Sequence, residues 1–210
     1  MGRRRVRVGR VAVAAVLVAA AGACKGGGGE GADPTTTVAA PTIDPSVEQV
    51  TTTTLPDYTT PPPWLVAENW QGDALKALSV FAWAEHAAVQ ANVEPYDPNL
   101  PALVATHSPG FLAQRQSAIR ATREQRGQAI TFGNEFSIRV KEFAELPSGE
   151  SLITACLTTD YMVHPIGTQP EPVTPDSSLM KASVVKVAES WQLKARQIER
   201  DFIGKKSCDG

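Results

Sequence analysis

The chain has 210 residues, 20 of them basic and 22 acidic, for a net charge of −2. Five of the arginines lie in its first 23 residues, where there is no acid; without them 15 basic side chains face 22 acidic ones, a balance of −7. Such a balance excludes non-specific nucleic-acid binding and gives no electrostatic pull towards anionic lipid.

Arg3, Arg4, Arg5, Arg7 and Arg10 precede a run, residues 11–23, that is wholly apolar or small. This is the layout of a secretory signal. As a helix the run would reach only about 20 Å, short of a bilayer core of about 30 Å. The run ends Ala21-Gly22-Ala23-Cys24. Small residues ahead of a cysteine resemble the bacterial lipobox, with Ala21 where leucine is preferred. The resemblance implies a signal peptide over 1–23, a diacylglyceryl group on Cys24, and a place on the extracytoplasmic face of the cell membrane. Two acyl chains hold a protein durably where one does not.

Residues 24–63 show no hydrophobic periodicity. Glycines come first, then threonine runs and prolines, ending in Pro61-Pro62-Pro63. A segment so poor in apolar side chains cannot offset the entropy of ordering itself, so a disordered tether is expected. The remaining residues, 64–210, suffice for one domain with a real core.

The first element expected there is a helix over 73–92, capped by Asp73 and stopped by Pro95 and Pro98. Leu75, Leu78, Ala82 and Val89 form one stripe, with Ala74, Ala77, Phe81, Ala84 and Ala88 beside it. So broad an apolar face fits a helix pressed into a sheet. A short helical piece follows over 102–106. Ser108-Pro109 then opens a second long helix, which runs to about Arg126 and stops at Gly127. Its arginines, Arg115, Arg120, Arg123 and Arg126, read as a solvated face.

The period changes to two after Ile130. Phe136, Ile138 and Val140 alternate with Ser137, Arg139 and Lys141, the mark of a half-buried strand. After the turn at Pro147-Ser148-Gly149 a strand over 152–164 is expected, carrying Ile153, Ala155, Leu157, Tyr161 and Val163 on one face. A proline-rich loop covers 165–177. Strands over 179–187 and 191–200 join tightly at Ala188-Glu189-Ser190, and the alternation slips near Arg196–Ile198, which suggests a bulge. In an exported chain the even pair Cys156 and Cys208 reads as a disulfide. The expected class is α+β, with N-terminal helices packed on a curved antiparallel sheet.

The helix, the Asp97-Pro98-Asn99-Leu100-Pro101-Ala102-Leu103 link, the cysteine-bearing strand and the return strand begun by Trp191 together resemble the nuclear-transport-factor-2-like, cystatin-like cone domains of lipoproteins from high-GC Gram-positive bacteria. The resemblance covers about residues 70–208 and implies a cone with Phe81, Trp83, His86 and Tyr161 as candidate lining. It carries no motif for activity, because such domains include enzymes and binding modules alike.

The catalytic candidates are His86, Trp83, Asp160, Tyr161 and His164, and none forms a dissectable site. Asp160 and His164 would lie about 13 Å apart along one strand. Glu85, adjacent to His86, is expected to point elsewhere. No metal-ligand spacing occurs among His86, His107 and His164, and no phosphate loop stands between a strand and a helix. No cofactor and no metal are expected. The expected function is a membrane-anchored, non-catalytic domain that binds a small apolar ligand or an envelope protein, with a homodimer as a further candidate. The alternative is an isomerase, cyclase or hydrolase acting on a bulky apolar substrate.

Overall fold

A computed structural model describes residues 55–170 and 174–209. The expected signal segment, Cys24 and the tether up to residue 54 lie outside the described residues.

Residues ahead of Trp64, assigned to the expected tether, pack on the domain. Asp57 accepts hydrogen bonds from the Thr59 amide and hydroxyl, closing an Asx turn. Tyr58 sets its ring edge-on to Trp83, and the Trp83 indole donates to the Thr60 carbonyl at 3.0 Å. The last prolines therefore lie on the domain, Pro62 being buried. Strand β1 (Leu65–Val66) then pairs in parallel with the start of a later strand.

Helix α1 (Gly72–Gln90) starts one residue ahead of the expected Asp73 cap. Asp73 sits in its first turn instead, ion-paired with Lys76 and Lys186. Helix α2 spans Pro101–Thr106 and α3 spans Pro109–Arg120. A π-helical turn, Ala121–Gln125, replaces the last α turn expected before Gly127.

The strands are β2 (Gln128–Thr131), β3 (Phe136–Glu145), β4 (Glu150–Thr159), β5 (Met162–Pro165), β6 (Asp176–Val187) and β7 (Ser190–Phe202). Five make one sheet in the order β1-β3-β4-β6-β7, antiparallel except for β1. A separate pair joins β2 to β5. The fold is thus α+β, with helices over a curved, mostly antiparallel sheet.

The single strand expected over 152–164 is broken into β4 and β5. Asp160 causes the break, because its carboxylate turns back to accept the amides of Asn134 and Glu135 at 2.7 and 3.1 Å. Gly133 leaves room for it, since a Cβ there would overlap the Asp160 carboxyl group. Gly133→Ala is expected to cost about 1–3 kcal/mol, read as a lower thermal midpoint. An unchanged midpoint would mean that the Asp160 anchor is not needed.

The slip expected near Arg196 resolves into two bulges on β7. Lys194 and Glu199 are the extra residues, as Leu193 and Ala195 pair with Val184 and Ser183, and Ile198 and Arg200 with Met180 and Leu179. Each bulge resets the alternation and bends the strand. The helix-facing side of β7 consequently reads Trp191, Leu193, Arg196, Ile198, Asp201.

The core joins α1 to this face of the sheet. Leu78 and Phe81 are fully buried against Ile138, Ile153, Met180, Val184 and Leu193. Farther along α1, Ala87, Ala88 and Ala91 pack with Leu103 and Ile119 of α2 and α3. The alanines let three helices approach closely, so α1 is covered on two sides. Across the outer face runs the C-terminal tail. Cys208 is bonded to Cys156, while Ser177 and Thr158 donate to the carbonyls of Lys205 and Lys206.

Candidate functional site

A cleft of about 770 Å³ opens where the broken strand turns away from the sheet. Its apolar lining comes from Leu157, Tyr161, Met162, Val163, Ile198 and Ile203. Several of these stay open to solvent: Val163 is 49% exposed and Ile203 75%. The polar lining includes Thr159, Asp176, Ser178, Arg196 and Asp201. Asp176 and Asp201 are already engaged, accepting from the Gly204 amide and the Ser178 hydroxyl, each at 2.6 Å.

Arg196 leads from this cleft into a buried charge cluster. Glu85, on α1, is 2% exposed. Its Oε1 accepts from Nη2 of Arg115, on α3, at 2.9 Å, and its Oε2 lies 3.2 Å from Nε of Arg196. Arg115 also lies over the ring of Phe111, 5.0 Å from its centre. Burial pushes the Glu85 carboxyl up, but the charges of Arg196 and Arg115 outweigh it and hold the group below the ordinary carboxylate range. A carboxylate locked in this way is a poor proton carrier at neutral pH.

His107 completes the cluster between α2 and α3, 1% exposed and stacked on Phe111. Its Nδ1 lies 2.9 Å from the Leu103 carbonyl, which can only accept, so Nδ1 carries the proton. Nε2 is buried without a partner. Burial first, and then the Arg115 charge, lower its pKa from 6.5 to about 4. The folded domain therefore refuses a proton that the unfolded chain takes up below pH 6.5. Stability is expected to fall as pH drops from about 6.5 to about 4, by up to about 3 kcal/mol. Urea midpoints across that range check this; in His107→Phe the slope between pH 6.5 and 5 should flatten, and an unchanged slope would remove His107 from the account.

Of the four side chains expected to line one cavity, Tyr161 alone lines this cleft. Phe81 is fully buried and plugs the space between α1 and the sheet. Trp83 and His86 belong to an aromatic group beside the N-terminal segment. There His86 stacks on Trp64 at 4.3 Å and faces Phe132 and Phe136, and burial lowers its pKa. His164 also lines the cleft, with its Nε2 2.8 Å from the Thr131 hydroxyl, and Asp160 anchors a loop. The sequence reading missed Glu85, Arg115, His107 and Arg196. One signal was available: Glu85 falls in the gap of the stripe Leu75, Leu78, Ala82, Val89.

Among the described residues no three metal-ligating side chains come together, and no helix is long and apolar enough to cross a membrane. No protein-family model and no curated protein matches the chain. Among solved structures, the intermembrane space region of chloroplast protein ARC6 aligns with 61% of this chain and 98% of its own, at a TM-score of 0.49 and 13% identity. So distant a likeness does not bear on what this domain binds. Fold and site together define an α+β domain with an open cleft of mixed apolar and polar lining beside a buried ionic cluster.

Proposed function

We propose that the chain is a lipoprotein, held by Cys24 on the extracytoplasmic face of the cell membrane, whose domain binds a small, largely apolar ligand without transforming it. The single observation that carries ligand binding is the cleft, whose volume of about 770 Å³ suits a small molecule. Exposed apolar side chains gathered in a groove, rather than scattered, favour an occupant. The helices over a curved sheet support reading the domain as a cone of the nuclear-transport-factor-2-like type. Binding is preferred to catalysis because the titratable groups are committed. Glu85 is locked between two guanidiniums, His107 stays neutral, Asp160 holds a loop, and His164, on the cleft lining, is hydrogen-bonded to Thr131.

Two measurements test the proposal. Metabolic labelling with an alkyne fatty acid should tag the chain in membranes and fail in Cys24→Ser; tagging that survives the substitution removes the anchor. Native mass spectrometry of the exported chain should show a bound apolar compound, lost when Ile198→Asp fills the cleft with charge. A compound retained by that variant would place binding elsewhere.

A further inference from the structure

The geometry points to the inner end of the cleft as an anion site, so that the ligand is an amphiphile with one carboxylate on an apolar chain. This rests on the cleft being a ligand site and deepens that reading. Arg196 is the only arginine or lysine on the lining among the described residues, and His164 is the other basic side chain there. Its Nε is buried 3.2 Å from Glu85 Oε2, an ion pair without hydrogen-bond geometry. The two Nη groups of Arg196 hydrogen-bond to no described residue, yet they are not among the atoms sealed from solvent without a partner. They therefore face the open space of the cleft as a free planar fork, the shape that matches a carboxylate.

Charge balance selects the head group. Behind the cleft two guanidiniums share one carboxylate, and His107 is uncharged at neutral pH, so the cluster keeps one surplus positive charge. A monoanion cancels that surplus, whereas a phosphate dianion would overshoot it. The acids on the same lining, Asp176 and Asp201, sit towards the other end of β6 and β7. Asp201 pairs with Ser178, two inward positions beyond the Arg196–Ala182 pair, on the order of 13 Å along the strands. They repel a second negative charge there. By register Ile198 lies between the two ends and Leu157 beside Asp201; with Met162 and Val163 they form the apolar lining that takes the chain, and Tyr161 adds a hydroxyl donor.

The test uses the exported full chain carrying Cys24→Ser, so that no attached lipid competes. Calorimetric titrations with decanoate, 1-decanol and decyltrimethylammonium at pH 7 compare one tail with three heads. Decanoate is expected to bind about tenfold tighter than decanol, the value of one charge-assisted hydrogen-bonded pair, and the ammonium weakest. In Arg196→Met the preference for decanoate should vanish while decanol binds as before. Decanol or the ammonium binding as tightly as decanoate overturns the anion site but leaves the cleft a ligand site. A preference that survives in Arg196→Met overturns the role of Arg196. Failure of all three probes to bind overturns both readings. Where the variant does not fold, the ranking of the three probes on the parent chain decides.

Discussion

Replacing Glu85 with alanine is expected to destabilise the domain by about 3–5 kcal/mol, out of a total stability of about 5–15 kcal/mol for a domain of this kind. The carboxylate is 2% exposed and is the counter-charge of both Arg115 and Arg196. Without it two guanidiniums repel each other beside α1, and Arg115 loses the hydrogen bond of its Nη2. Glu85→Gln separates charge from shape: the amide nearly fills the same volume, so a loss almost as large in that variant assigns the effect to charge. A third variant tests the physical account more severely. Burying three charges costs desolvation that their attraction only partly offsets, so an apolar replacement of all three is often neutral or better. Glu85→Leu with Arg115→Met and Arg196→Leu should regain most of the stability lost in Glu85→Ala. Urea midpoints at pH 7 read all of this. A loss in Glu85→Ala below about 1 kcal/mol, the range of exposed ion pairs, would mean that water reaches the cluster.

That cluster was hidden from the sequence for a reason visible in its parts. Arg115 stands with Arg120, Arg123 and Arg126 on one amphipathic helix, and nothing local distinguishes it from a solvated neighbour. Its partner is 30 residues away on another helix. Arg196 was concealed differently: the bulge at Lys194 resets the alternation, so a position that strict period two places outside is turned inward. Glu85 alone left a trace, as an acid in an otherwise apolar stripe. Periodic features were legible because a single chain segment determines them. The helix stripes, the alternation of β3 and β4 and the meander through β7 all emerge near their expected places. Features that depend on one distant contact were not. The two-residue β1 has no period of its own and exists by pairing with Ile138 and Arg139. The break between β4 and β5 depends on where the Asp160 carboxylate finds its donors. The cleft is a consequence of that break: Tyr161 lines it, while Phe81, Trp83 and His86, expected with Tyr161 as candidate lining, pack in the core and beside the N-terminal segment.

Removing the disulfide with Cys208→Ser is expected to lower stability by about 4 kcal/mol, the chain-entropy value for closing a loop of this length. The bridge joins positions 52 residues apart and closes β4, β5, β6 and β7 into one loop. In the unfolded chain that closure removes many extended conformations, which is where the stabilisation arises on this account. Beyond Phe202 the Gly204 amide donates to Asp176 at 2.6 Å, and the other contacts of the tail are weak. Its ion pairs, Lys141 with Asp209 and Lys206 with Glu135, are solvent-exposed and contribute little. The two carbonyl contacts, from Ser177 to Lys205 and from Thr158 to Lys206, involve hydroxyls that can also bond to each other, at 2.8 Å. Cutting the bridge should therefore free the tail as well as loosen the loop. Two measurements separate these effects. The urea midpoint of Cys208→Ser should equal that of the parent chain in reductant, and amide exchange over residues 205–209 should rise to the unprotected rate while β6 and β7 stay protected. A midpoint unchanged by the substitution would mean that the unfolded loop is already restricted without the bridge. Protection retained in the tail would mean that the hydroxyl contacts, and not the sulfur, fix it across the sheet.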